Sequence, residues 1–287
     1  MNNIFTRLVN SKKTVGYIFI LPWVIGFAVF TAYPILYSLY LSFFNVIITT
    51  NGIKTKFAKW ANYQDAFTTD VEFLKEIGDF AGHVVVSVPI IVIIALIIAI
   101  LLNQPIKFRG FFRTIFFLPV IISSGPVLNK LTEQGVTAIP EIKQYVFYKL
   151  AAENPGFFSN LFLYIMDNMV LLLWFTGVQI LIFIAALQKV DNQIYEAAKI
   201  DGASTWEIFW KITLPTLFPM ILVNIIYTTV MYSISTMNPI IEHIKKNMFK
   251  IETGFGYASA LSWIYFVIIT IILLIMVWLV VFLERKK

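Results

Sequence analysis

The chain has 287 residues, of which 59% are hydrophobic, 16% aromatic and only 13% charged, with a formal net charge of +6. Soluble domains carry about 25% charged residues, so this composition excludes an ordinary water-soluble globule and points to lipid. The absence of cysteine also excludes disulfides, iron–sulfur clusters and thiol catalysis.

Six stretches contain no Asp, Glu, Lys or Arg: Thr14–Ile53, Ala81–Ile106, Thr114–Asn129, Asn168–Gln188, Ile212–Ile241 and Thr253–Leu283. A helix crossing a hydrocarbon core of about 30 Å needs roughly 20 apolar residues. Five of the runs reach that length unaided, and the third reaches it with Phe111, Phe112 and Leu131 at its ends. The pattern predicts an all-α membrane protein with six transmembrane helices and both termini on one side.

The first run predicts one long helix, bent or entered near Pro22 and Pro34, with an external extension. Arg7, Lys12 and Lys13 ahead of it imitate a signal peptide. The apolar segment is too long and aromatic for one, and no Ala-x-Ala-like site follows, so it reads as an uncleaved span. Lys54–Phe80 mixes charge with aromatics and predicts an external loop with one short surface helix. Ala81–Asn103 is a Val/Ile/Leu run closed by Asn103-Gln104-Pro105. The third span carries Pro119, Gly125 and Pro126, breakers that survive in lipid only where neighbours satisfy the freed backbone groups. Glu141–Asn154 has the spacing of a surface helix, and Asn154-Pro155-Gly156 marks a turn. After the fourth span comes a compact amphipathic stretch, then the fifth span, a polar loop around Glu242–Glu252, and the sixth span. No internal repeat is visible.

Charge assigns the sides. Met1–Lys13, Lys107–Arg113, Lys189–Lys211 and Glu284–Lys287 together hold 12 Lys/Arg and 5 acids, against 10 Lys/Arg and 11 acids in the three opposite segments. Dense basic charge in short loops marks the cytoplasmic face. The positive balance therefore anchors topology, and no nucleic-acid partner is implied.

The stretch Tyr195–Pro215, YEAAKIDGASTWEIFWKITLP, interrupts two spans. Asp191 or Asn192 can cap a helix through Asp201, with Gly202 placed for a left-handed C-terminal residue. Ser204-Thr205-Trp206-Glu207 has capping-box spacing and starts a second helix that would bury Trp206, Phe209 and Trp210. Pro215 suits the start of the next helix. An interfacial helix resting on lipid fits the tryptophans. Small Ala197 and Ala198 beside Glu196 fit a protein groove better.

This stretch resembles the EAA signature of binding-protein-dependent ABC importer permeases. Glu196-Ala197-Ala198, Gly202, Ile212 and Leu214-Pro215 occupy its positions at the required spacing. Trp174 and Gly177 upstream, and the IDGAST sequence after Ala198, resemble the carbohydrate-uptake, maltose-type branch. The large external domain of some maltose permeases is absent. The resemblance implies a bacterial inner-membrane, multi-pass permease subunit: residues 1–13 as a cytoplasmic segment and 14–287 as a six-span domain, with a coupling loop at 191–215. It implies that Glu196, Ala197, Ala198, Asp201 and Gly202 contact a cytoplasmic ATPase subunit. The implied partners are two such ATPases, a second, non-identical permease and an extracytoplasmic solute-binding protein. No G-x-x-x-x-G-K-[ST] occurs in the chain, so it binds no ATP through a P-loop and the ATPase comes in trans. The resemblance implies a non-catalytic subunit with no cofactor of its own, ATP and Mg being bound by the ATPases.

A sugar route needs uncharged polar groups and aromatic faces. The fourth and fifth spans offer Trp174, Gln179, Asn224, Tyr227, Tyr232, Ser233 and Ser235, with Asn224, Tyr227 or Thr228, Met231 and Ser235 on one helical stripe. Single hydroxyls are otherwise satisfied within their own helix, and aromatics in the interfacial belt. Gln179 and Asn224 are costlier to leave unpaired. Isolated His83 and His243 suggest no metal site. The same architecture could carry a polyamine, a phosphate ester or a peptide. A standalone secondary transporter or an intramembrane enzyme would need acids or cations inside the runs, and none of the six contains an Asp, Glu, Lys or Arg.

Overall fold

The computed structural model describes residues 12–49, 52–104, 107–122, 140–250 and 253–285. It divides into two compact units, Met1–Leu74 with His243–Phe266, and Lys75–Glu242 with Val267–Lys287. Among the described residues, four helical stretches are long and apolar enough to cross a membrane: Gly16–Leu41, Val71–Asn103, Thr205–Ser233 and Gly254–Arg285.

In the first unit, α1 (Lys12–Phe27) passes through a π-helical turn (Ala28–Ala32) into α2 (Tyr33–Leu41). Pro34 explains the turn. A proline has no N–H and its ring crowds the carbonyl four residues back, here Phe30, the middle of the turn. The expected irregularity near Pro34 is thus a π turn.

The outer extension is not a loop. Strands β1 (Phe44–Thr49) and β2 (Gly52–Phe57) form an antiparallel hairpin with Phe44 opposite Phe57 and Thr49 opposite Gly52. The β-branched run Val46–Thr49, with Ile53 and Thr55 across from it, favours a pleated pair over a loop. This hairpin replaces part of the loop expected to begin at Lys54; the other described elements are helical, as an all-α membrane protein requires. Helix α3 (Ala61–Thr68) pins the start of β1, because the buried Asn62 amide donates to the Ser42 and Phe44 carbonyls at 2.8 and 3.1 Å. Gly256 permits the close approach, since a Cβ there would lie 1.7 Å from the Phe44 oxygen.

Helix α4 (Val71–Asn103) starts ten residues before the charge-free run. Asp70 Oδ1 accepts from the Phe73 N–H at 3.0 Å, one of the free donors of a helix start. Asp70 Oδ2 also contacts His243 Nε2 at 3.0 Å and accepts from the Tyr257 hydroxyl at 2.8 Å. His243 lies on α13 (Pro239–Phe249), a helix where a polar loop was expected. Asn238 Oδ1 caps its start by accepting from the Ile240 N–H.

In the second unit, Val84, Val88, Ile91, Ala95 and Ala99 are fully buried. Their spacing draws one continuous stripe down α4. The third run gives α5 (Arg109–Ile122), and its predicted continuation to Asn129 lies outside the described residues. The expected surface helix is a 3₁₀ turn (Pro140–Gln144) followed by α6 (Val146–Glu153).

The fourth run is broken rather than one helix. Helices α7 (Phe157–Asp167), α8 (Met169–Trp174) and α9 (Gly177–Leu187) follow one another. Asn168 Nδ2 bonds back to the Tyr164 carbonyl, and the buried Thr176 hydroxyl takes the Leu173 carbonyl at 2.7 Å. These side-chain bonds compete with the helical ladder at both breaks.

Next come α10 (Asn192–Ile200), α11 (Thr205–Ile208), a second π turn (Phe209–Thr213) and α12 (Leu214–Ser233). Pro215 repeats the geometry of Pro34, for Lys211, four residues back, is again the middle of the π turn. Helix α14 (Gly254–Arg285) closes the described chain and contributes to both units.

Candidate functional site

The α10–α11 element is built from local bonds. Asp191 caps α10 by accepting from the Gln193 N–H at 3.0 Å. At the other end, the Gly202 N–H reaches the Lys199 carbonyl and the Ala203 N–H the Ala198 carbonyl, at 3.1 and 2.9 Å. This is the paired closure of a Schellman motif. It requires the left-handed backbone that Gly202 adopts, with φ +81°. The capping box expected at Ser204 is present: the Ser204 N–H donates to Glu207 Oε2 at 3.0 Å and the Glu207 N–H to Ser204 Oγ at 3.3 Å.

Glu196, Ala197, Asp201 and Gly202 are exposed and Ala198 is half-buried. Ile200 is 85% exposed and Ile194 48%. The element therefore offers a small-residue, apolar and acidic surface, tied back to the chain by Tyr195, whose hydroxyl lies 3.3 Å from Thr213 Oγ1. The expectation that Trp206, Phe209 and Trp210 are buried is corrected. Trp206 is 70% exposed and Trp210 stays exposed, while Phe209 is half-buried. Ile208 and Thr213 take the inward positions, leaving the indoles outward as membrane-boundary tryptophans are.

The polar residues of α9 and α12 lie in two settings. In the first, Gln179 Nε2 donates to Thr228 Oγ1 at 2.8 Å across the helix pair. Gln179 Oε1, both amide atoms of fully buried Asn224, and the Trp174 indole nitrogen have no hydrogen-bond partner among the described residues. Ser233 is buried and spends its hydroxyl on the Thr229 carbonyl. Tyr227 is half-buried, and Met231 on the expected stripe is 36% exposed, so the stripe does not face one environment.

The second setting is a cavity of about 360 Å³ lined by Asp79, Phe80, His83, Asn168, Phe175, Tyr232 and Ser235 among others. Tyr232 packs against Phe175 and Phe80, with ring centroids 5.3 and 5.9 Å away. Of the residues anticipated from sequence, Tyr232 and Ser235 meet here; Trp174, Gln179, Asn224, Tyr227 and Ser233 are not among its lining. Sequence reasoning missed Asp79, Phe80 and Asn168, which stand at or just outside the edges of the charge-free runs. It set His83 aside, although His83 Nδ1 lies 3.0 Å from the Tyr164 hydroxyl, itself 2.6 Å from Ser87 Oγ.

Residues 71–287 match the family described as "Binding-protein-dependent transport system inner membrane component". The chain is similar to the "Probable ABC transporter permease protein YesP" of Bacillus subtilis (strain 168), at 30% identity over 94% of this chain and 92% of that protein. It is 32% identical to the "Lactose transport system permease protein LacF" of Rhizobium radiobacter, over 77% of this chain and 72% of the relative. Its fold resembles a chain of the bacterial alginate ABC transporter crystallised in complex with alginate pentasaccharide-bound periplasmic protein. That TM-score is 0.56 at 20% identity, covering 91% of this chain and 92% of the other.

Proposed function

The chain belongs to the family of binding-protein-dependent transport system inner membrane components, and from that premise we propose that it is the permease subunit of an ATP-driven importer of a sugar or oligosaccharide. One observation carries the reading: the exposed α10–Gly202 element, locked by its own caps, bears the EAA pattern at every position. The lactose permease relative supports a saccharide as cargo.

In this reading residues 14–287 form one six-span domain, with both termini and residues 191–215 in the cytoplasm. Helix α10 seats in a groove of an ATPase subunit, with Glu196, Ala197, Ala198, Asp201 and Gly202 at the contact. Gly202 holds the bend through which movement passes. The subunit is not catalytic; ATP and Mg are held by two ATPase subunits. A second, non-identical permease and an extracytoplasmic binding protein complete the assembly, as the periplasmic protein does in the alginate transporter. ATP binding draws the coupling helices together and turns the cavity outward, an alternating-access cycle between two states. Gln179, Asn224, Tyr227, Trp174, Tyr232, Ser233 and Ser235 mark the path on α8, α9, α12 and the residues after it.

The chain has no cysteine, which makes Ala197→Cys a unique reporter. Paired with a cysteine in the groove of the co-purified ATPase, it forms a cross-link whose yield changes with ATP. Failure of any ATPase to co-purify or to cross-link overturns the coupling assignment. Loss of binding-protein-dependent saccharide uptake in proteoliposomes, with the cross-link intact, overturns the cargo instead.

A further inference from the structure

The walls of the Tyr232 cavity have a definite charge character. Among the described residues, its lining holds one carboxylate, Asp79, and no lysine or arginine. Tyr232, Phe175 and Phe80 supply flat apolar faces on which the C–H side of a pyranose can lie. The amide and hydroxyl groups around them are partly committed. Asn168 Nδ2 donates to the Tyr164 carbonyl, Asn238 Nδ2 to the Ser233 carbonyl, and Ser235 Oγ accepts from the Met237 N–H. Exposed Asp79, one turn before His83 on α4, remains the strongest acceptor facing the cavity.

We infer that Asp79 is a specificity residue that selects uncharged saccharides, accepting hydrogen bonds from neighbouring hydroxyls and rejecting acidic sugars. The inference rests on the saccharide-importer reading and narrows it. A carboxylate receives two hydroxyl donors side by side, and such charge-assisted bonds are about twice as strong as neutral ones. A uronate brings its own carboxylate beside Asp79, where no lysine or arginine among the described lining residues offsets it, so the interaction is repulsive. A polyamine carries two or more cations and would call for more than one acid, and Asp79 is the one carboxylate among the described lining residues. His83 is a positioning residue: its Nδ1 contact with Tyr164 and its ring stacking at 5.7 Å hold that wall in place.

The test uses the complete transporter, with its ATPases, partner permease and binding protein, in proteoliposomes. Labelled lactose, maltotriose, arabinotriose, digalacturonate and spermidine are offered, with ATP hydrolysis measured in parallel. Uptake of at least one neutral sugar and none of digalacturonate is expected. Asp79→Asn should lower that uptake about tenfold, since one charge-assisted bond is weakened. In Asp79→Asn the neutral-to-acidic discrimination should shrink. Equal uptake of digalacturonate by the wild type, or unaltered uptake and selectivity in Asp79→Asn, overturns the inference but leaves the importer reading standing. Transport of spermidine alone, or of none of the five, overturns the saccharide reading itself.

Discussion

The α10–α11 element and the interior of α9 and α12 use polar side chains in opposite ways. In the first, the caps close on neighbours two to five residues away: Asp191 on Gln193, Ser204 on Glu207, and the Gly202 and Ala203 N–H groups on Lys199 and Ala198. Its outer surface is left open, with Ile200 almost fully exposed. In the second, Gln179 reaches Thr228 across 49 residues of chain, and Asn224 is buried with both amide atoms unpartnered among the described residues. An element that keeps its own shape is suited to transmit a push as a rigid body. An interior holding polar atoms in reserve is suited to change partners as a cycle proceeds.

The largest expected effect is at Gly202. No atom lies within 4 Å of an added Cβ, so sterics permit a side chain; the φ of +81° does not. A left-handed residue with a Cβ costs about 1–2 kcal/mol, and an acid adds charge to the contact surface. Gly202→Asp should reduce ATP-dependent uptake to background while membrane insertion, measured by fractionation, stays normal. Near-normal uptake would dissolve the distinction between a rigid transmitting element and a yielding interior.

Asn224→Leu probes the other side of the comparison. Removing an unpartnered buried amide relieves a penalty of about 1–3 kcal/mol, so thermal stability in detergent should rise. Uptake should fall several-fold, giving opposite signs for stability and function. If both rise together, Asn224 plays no part in transport.

Ser204→Ala removes one cap, for which about 1 kcal/mol is typical. Because that bond is local, the loss should appear as fraying of α11 in hydrogen exchange, with uptake changed less than twofold. A large loss of uptake would mean the cap is coupled to the docking surface.

The smallest effect concerns Asp70, in the first unit and outside both regions. Burial raises its pKa, but bonds from the Phe73 N–H, Tyr257 and His243, together with the His243 charge, hold it below the ordinary 3.8. A carboxylate with a lowered folded pKa contributes stability above its unfolded value and loses it as pH falls through the folded one. Acidification below about pH 4 should therefore lower the melting temperature of the wild type more than that of Asp70→Asn. An identical acid response would remove Asp70 as the cause.

The α10–α11 element was legible because its determinants are short-range. Asp191, Gly202 and the Ser204–Glu207 box sit at fixed offsets, and caps of this kind need no distant partner. The burial of Trp206 and Trp210 was misjudged for the complementary reason: periodicity identifies one face of a helix but not which side the bundle occupies. The outer hairpin was obscured because its β-branched residues continue an uncharged run whose earlier part is helical. The broken fourth run escaped notice because Asn168 and Thr176 break it through single side-chain bonds in an otherwise apolar stretch.

Sequence alone determined the membrane environment, the positions of the apolar runs and the capped, hinged form of residues 191–215. Each of these depends on composition or on spacing within about one or two helical turns. Only the tertiary structure decided that Tyr232 and Ser235 meet Asp79 and His83 in one cavity, that Gln179 finds Thr228, and that Asp70 gathers His243 and Tyr257. These contacts join residues 49 to 187 positions apart. In a chain this apolar, many faces could supply a partner, and packing chooses among them.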